Sequence, residues 1–188
     1  MPTPKIVLLT GGRQIGKTTA LSEAVRRLQD AGVRVSGLLT QRAGPHDLAA
    51  IELHTGARYP LTDPYRDIPG APTPNFVMNE AAFARSTAAL ATSFPTQVFV
   101  LDEIGPLELR HHRGWVSVLD LLRRESYALA FIVVRPELVG DAILALPDAE
   151  YTVIRVDLDS RQGLGAHLFD VAMARLPGTS PVAPGGGR

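Results

Sequence analysis

Residues Gly11-Gly12-Arg13-Gln14-Ile15-Gly16-Lys17-Thr18-Thr19 fit the spacing Gly-x-x-x-x-Gly-Lys-[Ser/Thr], and this stretch constrains the chain more than any other. Glycines let the backbone curl until several N–H groups face one centre, and a helix starting there adds its positive end. The context fits. Lys5 to Leu9 reads as a buried strand running into the loop, and Thr18 to Gln29 reads as a helix leaving it. In such a loop Gly11, Gly12, Arg13, Gln14, Ile15, Gly16, Lys17, Thr18 and Thr19 surround phosphate. Lys17 would reach the β- and γ-phosphates, and the Thr18 hydroxyl would bind Mg²⁺.

The remaining pattern alternates strands and helices. Leu21, Ala24, Val25 and Leu28 recur at helical spacing, Gly32 stops that helix, and Val33 to Thr40 reads as a strand. Ala49–Leu53 and Ala57–Leu61 flank His54-Thr55-Gly56 as a hairpin. Pro60 to Pro74 carries five prolines and reads as a long loop, either functional or simply a surface excursion, with a short strand at Phe76–Met78. Asn79 to Ala91 reads as a helix capped by Asn79, with Phe83, Thr87 and Leu90 on one face. The apolar strand Gln97–Leu101 is followed by a helix at Arg113–Glu125, a buried strand at Ala128–Val134 and a helical segment at Pro136–Leu146. A strand at Tyr151–Val156 and a helix at Ser160–Leu176, with Ser160 as its cap, complete the domain. The expected fold is α/β with three layers: a mostly parallel sheet, helices on both faces and an inserted β-hairpin. The expected domain is 1–177, and the Pro/Gly-rich stretch 178–188 is expected to be a disordered tail.

Composition narrows the function. Among 188 residues, Lys plus Arg equals Asp plus Glu, so the formal net charge is zero and a general nucleic-acid or membrane-surface binder is disfavoured. No cysteine is present, which removes disulfides and thiolate metal sites and fits a reducing cytoplasm. No apolar run approaches the ~18 residues of a membrane span, and the N-terminus lacks a signal-peptide layout. Cytoplasmic location is the expectation.

The second motif is Asp102-Glu103, delivered by an apolar strand to the sheet edge where ligands of such folds sit. Asp102 would hold Mg²⁺ opposite Thr18, and Glu103 would orient or deprotonate an attacking water. Among Arg42, Arg110, Arg113 and Arg135, Arg135 directly follows a buried strand and is the candidate to neutralise charge on the γ-phosphate. Arg161 could stack on the base. Glu108 could meet a helix N-terminus or bound water, or join a structural ion pair. His111-His112 read as loop residues, and Trp115 as a helix residue packing on the core.

Leu101-Asp102-Glu103-Ile104-Gly105-Pro106-Leu107-Glu108-Leu109 resembles the Asp-Glu-Ile-Gly-x-[Met/Leu]-Glu-Leu signature of the small P-loop nucleoside-triphosphatase family, sometimes called cancer-related nucleoside-triphosphatase. Gly37-Leu38-Leu39-Thr40-Gln41-Arg42 resembles that family's Gly-Phe-x-Thr-x-x-x-Arg strand, offset at the arginine. Ala50–Leu61 resembles its hairpin, and Asp157–Arg161 falls at its polar loop. The resemblance covers about residues 5–175 and implies a P-loop fold with slow, Mg²⁺-dependent hydrolysis of the γ-phosphate and broad base tolerance. By motif, Gly11, Gly16, Lys17, Thr18, Asp102 and Glu103 carry the site. Pro106 stands where a lysine is common, and Arg13-Gln14 replace Pro-Gly. The guanine-reading Asn-Lys-x-Asp motif of regulatory GTPases is not in the sequence. Two other readings use the same scaffold: a small-molecule kinase, and a nucleotide-gated adapter with a protein partner or activator. The molybdenum-cofactor GTP-binding adapters are similar in the opening strand, loop and helix, but less so in the acidic segment.

Overall fold

Runs such as Ile6-Val7-Leu8-Leu9 and Val98-Phe99-Val100-Leu101 are apolar at every position because both faces of their sheet are covered. The computed structural model describes residues 3–42, 44, 47–63 and 77–176. In chain order the elements are β1 (Lys5–Gly11), α1 (Lys17–Asp30), β2 (Val35–Arg42), β3 (Leu48–Glu52), β4 (Arg58–Pro60), β5 (Thr62–Asp63), β6 (Val77–Met78), α2 (Glu80–Thr92), β7 (Val98–Ile104), α3 (Pro106–Leu109), α4 (Val116–Arg124), β8 (Leu129–Val134), α5 (Val139–Ala145), β9 (Glu150–Val156) and α6 (Leu164–Arg175).

Seven strands form one sheet in the order β4-β3-β2-β7-β8-β1-β9. Strands β2, β7, β8, β1 and β9 run parallel, while β3 and β4 join antiparallel as the expected hairpin. Successive residues of each central strand feed opposite cores. Ile6, Leu8, Phe99, Leu101 and Ile132 pack with α2, α3, α4 and α5. Val7, Leu9, Val98, Val100 and Phe131 pack with α1 and α6. This three-layer α/β arrangement agrees with the expectation from sequence.

Parallel strands place all their carboxyl ends on one edge, so the phosphate loop after β1, Thr40 on β2, the acidic pair on β7 and Arg135 after β8 share it. Strand β8 lies between β1 and β7. The loop and the acidic pair are therefore two strand spacings apart, roughly 10 Å, and a cleft opens between them.

Several boundaries differ from the sequence reading. Strand β7 continues to Ile104, so Asp102 and Glu103 lie within it rather than after it. Its pairing with β8 is irregular between Leu101 and Ile104. Helix α4 begins at Val116, not Arg113, because Gly114 adopts φ +65° and Trp115 caps the helix. The Pro136–Leu146 segment is a 3-10 turn at Pro136–Leu138 followed by α5. Ser160 does not cap α6; Gly163, at φ 72°, does. Ser160 instead closes a turn, its Oγ accepting from the Asp157 N–H and its own N–H donating to the Asp157 carboxylate. Asn79 caps α2 as expected, its side-chain oxygen accepting from the Ala82 N–H at 2.9 Å, which contributes about 1 kcal/mol. The expected strand Phe76–Met78 survives as β6, pairing with β5; Phe76, most of the Pro60–Pro74 loop and the stretch 178–188 lie outside the described residues.

Candidate active site

Gly11 ends β1 at φ +149°, and a Cβ there would stand 2.3 Å from the Val156 carbonyl oxygen. The position is restricted to glycine twice, by backbone conformation and by the close approach of β9. Gly16, at φ +104°, ends the loop and caps α1 with no side chain in the way. Between them Gln14 takes φ 55°. This alternation of conformations curls the loop over the start of α1, whose amides have no partner within the helix.

Lys17 is buried and folds back over the loop, its Nζ donating to the carbonyls of Gly11 at 3.0 Å and Gly12 at 2.6 Å. The ammonium is thus held at the centre of the curl. Thr18, next on the helix, donates its hydroxyl to Asp102 Oδ2 at 2.8 Å. Eighty-four residues separate the two in sequence, and the fold closes that gap at the cleft between β1 and β7.

Asp102 is 3 % exposed. Burial pushes its carboxyl up to about 6, with Glu103 adding to the rise, while the bonds from Thr18 and the Thr40 N–H and the charge of Lys17 oppose it. Thr40 braces the same residue, its N–H facing Asp102 Oδ2 at 3.4 Å and its hydroxyl donating to the Asp102 carbonyl. A hard carboxylate oxygen and a hydroxyl this close form the kind of oxygen donor set that suits Mg²⁺. A buried carboxylate with a raised pKa is also short of positive charge, which a divalent cation would supply.

In a regular strand Asp102 and Glu103 would face opposite sides of the sheet. The irregular pairing of β7 at this point lets both line one cavity. Glu103 accepts from Arg135 Nε at 2.8 Å, with both side chains about one-third exposed. The arginine that follows β8 and the carboxylate on β7 are thus joined across neighbouring strands. Of the other arginines weighed from sequence, Arg42 also lines the cavity, whereas Arg110 faces Asp141 and Arg113 pairs with Glu80.

The cavity encloses about 470 Å³. Arg13, Gln14, Ile15, Gly16, Lys17, Thr18, Thr19, Asp102, Glu103 and Arg135 all line it. Gly11 and Gly12 shape the loop from behind. Arg161 lies outside the cavity, its side chain about 4 Å from where a Gly16 Cβ would be, against the outer side of the loop. Glu108 is buried and spans the start of α3 and α4, accepting from the N–H groups of Gly105 at 2.9 Å and Trp115 at 3.2 Å. Of its possible roles the helix N-terminus is the observed one, and burial holds its carboxyl above the usual range. Trp115 is buried, stands edge-on to Phe83 at 5.0 Å and donates its indole N–H to Ser86 Oγ at 3.0 Å. Thr40, Leu107, Phe83 and Trp115 were not sequence candidates for the site, although Thr40 ends an apolar strand at the edge where ligands bind.

Among curated proteins none matches this chain. Among solved structures it is similar to THEP1 from the hyperthermophile Aquifex aeolicus, with a TM-score of 0.66 at 16 % identity over 89 % of this chain and 98 % of that one. At that identity the likeness establishes the fold, and it is the P-loop α/β fold expected. The sequence profile of the NTPase family matches residues 6–168, which takes in the phosphate loop, the acidic pair and the first turn of α6. The chain belongs to the NTPase family.

Proposed function

We infer that this protein hydrolyses Mg²⁺-complexed nucleoside 5'-triphosphates to the diphosphate and phosphate, slowly and with little selection among bases. The observation that carries the reading is the 2.8 Å bond from Thr18 to Asp102, which joins the phosphate loop to the acidic strand across the cleft. Loop amides and Lys17 bind the β- and γ-phosphates. Thr18 and Asp102 would hold Mg²⁺, which when bound neutralises charge on the β- and γ-oxygens.

Glu103 is the base. Arg135 Nε holds one carboxylate oxygen of Glu103, and the other accepts the proton of the attacking water. The remaining guanidinium N–H groups of Arg135 are donors for the γ-phosphate, so one side chain orients the base and meets the charge that develops during transfer. Slow turnover follows from Arg135, the arginine beside the base, being already engaged by Glu103. Broad base tolerance follows from the position of Arg161, an exposed guanidinium on the outer side of the loop, which offers stacking to any base rather than a hydrogen-bond code.

Phosphate release from ATP, GTP, CTP and UTP, with Mg²⁺ and with chelator, tests this reading. All four substrates turn over within about one order of magnitude of each other, and chelation stops them. Full activity in Lys17→Ala would remove the loop from the mechanism.

A further inference from the structure

The cavity has two unlike ends. One is the phosphate loop with Asp102, Glu103 and Arg135. The other is walled by Leu48, Leu61, Met78, Phe83, Leu107 and Trp115, brought together from β3, the link between β4 and β5, β6, α2, α3 and the cap of α4. These residues belong to the core on the α2–α4 face of the sheet, opposite to the face that α1 and α6 cover. A triphosphate makes no use of such walls.

The site also fixes which end of a nucleotide meets them. Thr18 and Asp102 would hold the Mg²⁺ that offsets the phosphate charge, and Glu103 is the next residue along β7. On that placement the γ-phosphate would face Glu103 on β7, whose side chain lines the same cavity as the apolar walls. The nucleoside trails the other way, past Gly16 toward Arg161, which lies outside the cavity. The apolar end is not the base pocket. The whole cavity, phosphate end included, is about 470 Å³, within the usual range for sites that enclose a small molecule, about 300–1,000 Å³.

Of the three carboxylates lining the cavity among the described residues, Asp102 is bonded to Thr18, and Glu108 uses one oxygen on each of two backbone N–H groups. Glu103, held by Arg135 through one oxygen, stands at the boundary between the two ends. A carboxylate there selects a group that donates a proton, and the apolar walls beyond it select an uncharged body.

We propose that the apolar end is an acceptor site for an uncharged alcohol carried on an apolar ring, to which the γ-phosphate is transferred in competition with water. The proposal rests on the placement of the triphosphate given above. The acceptor oxygen forms a bond to the γ-phosphorus while the β–γ bridging P–O bond breaks. That electron pair leaves on the nucleoside diphosphate. The hydroxyl proton passes to Glu103 and then to solvent.

The test is product partitioning. Mg·ATP is turned over in the presence of methanol, 1-butanol or benzyl alcohol, and the phosphate ester and free phosphate are quantified by ³¹P NMR. The ester formed per mole of alcohol rises ~10-fold or more from methanol to benzyl alcohol, because the ring is bound by the walls. Met78→Trp, which fills the apolar end, collapses that rise. Met78→Ala, which widens it, moves the preference to the bulkier 2-naphthalenemethanol. Because each readout is a product ratio, a change in total turnover does not obscure it. Free phosphate alone with every alcohol, equal partitioning of methanol and benzyl alcohol, or a benzyl preference untouched by both Met78 variants would overturn the proposal. Ester formed with benzyl alcohol but no phosphate released in water would instead overturn the hydrolysis reading and leave the acceptor site standing.

Discussion

The two ends of the cavity are built by opposite rules. The phosphate end is made of backbone: glycines that let amides converge, one lysine folded over their carbonyls, and a helix start. Its side chains come from adjacent residues, and its geometry is fixed by one local curl against β9. The far end is made of side chains from five separate elements, held by core packing and by buried polar latches such as Glu108 to Gly105 and Trp115 to Ser86. A backbone site tolerates substitution only where no Cβ is forbidden. A side-chain site degrades in steps, as packing is lost. Asp102 and Glu103 stand at the seam and answer to both.

The largest effect expected at the seam is chemical. Glu103→Gln keeps the size of the group but cannot take a proton, so kcat falls by about 10²–10⁴-fold with KM little changed, read by steady-state phosphate release. In the backbone half, Gly11→Ala drives a Cβ into the Val156 carbonyl at a positive φ and lowers stability by about 2–4 kcal/mol. Gly12→Ala is its control, since a Cβ at Gly12 meets nothing within 4 Å; it stays within about 0.5 kcal/mol of the parent. Urea unfolding of the pair measures the contrast, and equal losses would break it.

Asp102→Asn separates stability from function. The folded carboxyl is raised from 3.8 to about 6, chiefly by burial, so the folded state binds more protons than the unfolded one between those values. Stability of the nucleotide-free protein therefore falls as pH rises from about 4 to about 6 and is flat beyond. The asparagine variant escapes that penalty. It is more stable than the parent above pH 6 by about 2–3 kcal/mol, the advantage vanishes near pH 4, and activity is lost. Thermal melts across that range check both signs. The smallest effect belongs to the side-chain half: Trp115→Phe keeps the edge contact with Phe83 but drops the indole bond to Ser86, at about 1 kcal/mol.

The loop, the hairpin, the parallel sheet and the cap at Asn79 were legible because each is a local pattern. Glycine spacing, alternation and a capping side chain act within a few residues. The partners Thr18 and Asp102 were also legible, because each lies in a motif whose chemistry requires the other. What escaped was short or nonlocal. Helix α3 spans only Pro106–Leu109, too few residues to show a period, so Glu108 could not be seen as the group that ties it to Trp115. Ser160 has the chemistry of a cap, yet its oxygen closes the turn with Asp157, and the helix waits for Gly163. Thr87 was expected on the inner face of α2, whereas Ser86 is the fully buried hydroxyl there and receives the indole; a one-residue shift of face is what weak amphipathicity leaves open. The apolar end of the cavity has no sequence signature, because its walls come from residues scattered between Leu48 and Trp115 in separate elements.

The central claim is that Thr18 and Asp102 share one Mg²⁺ with a nucleoside triphosphate. It is tested most directly by titrating a nonhydrolysable ATP analogue into the parent, Thr18→Ala, Asp102→Ala and the double variant, each with and without Mg²⁺. The account predicts that Mg²⁺ tightens binding to the parent by at least ~10-fold, that each single change removes most of this gain, and that the double change removes little more, as for two groups acting on one ion. Equal tightening by Mg²⁺ in all four proteins would contradict it.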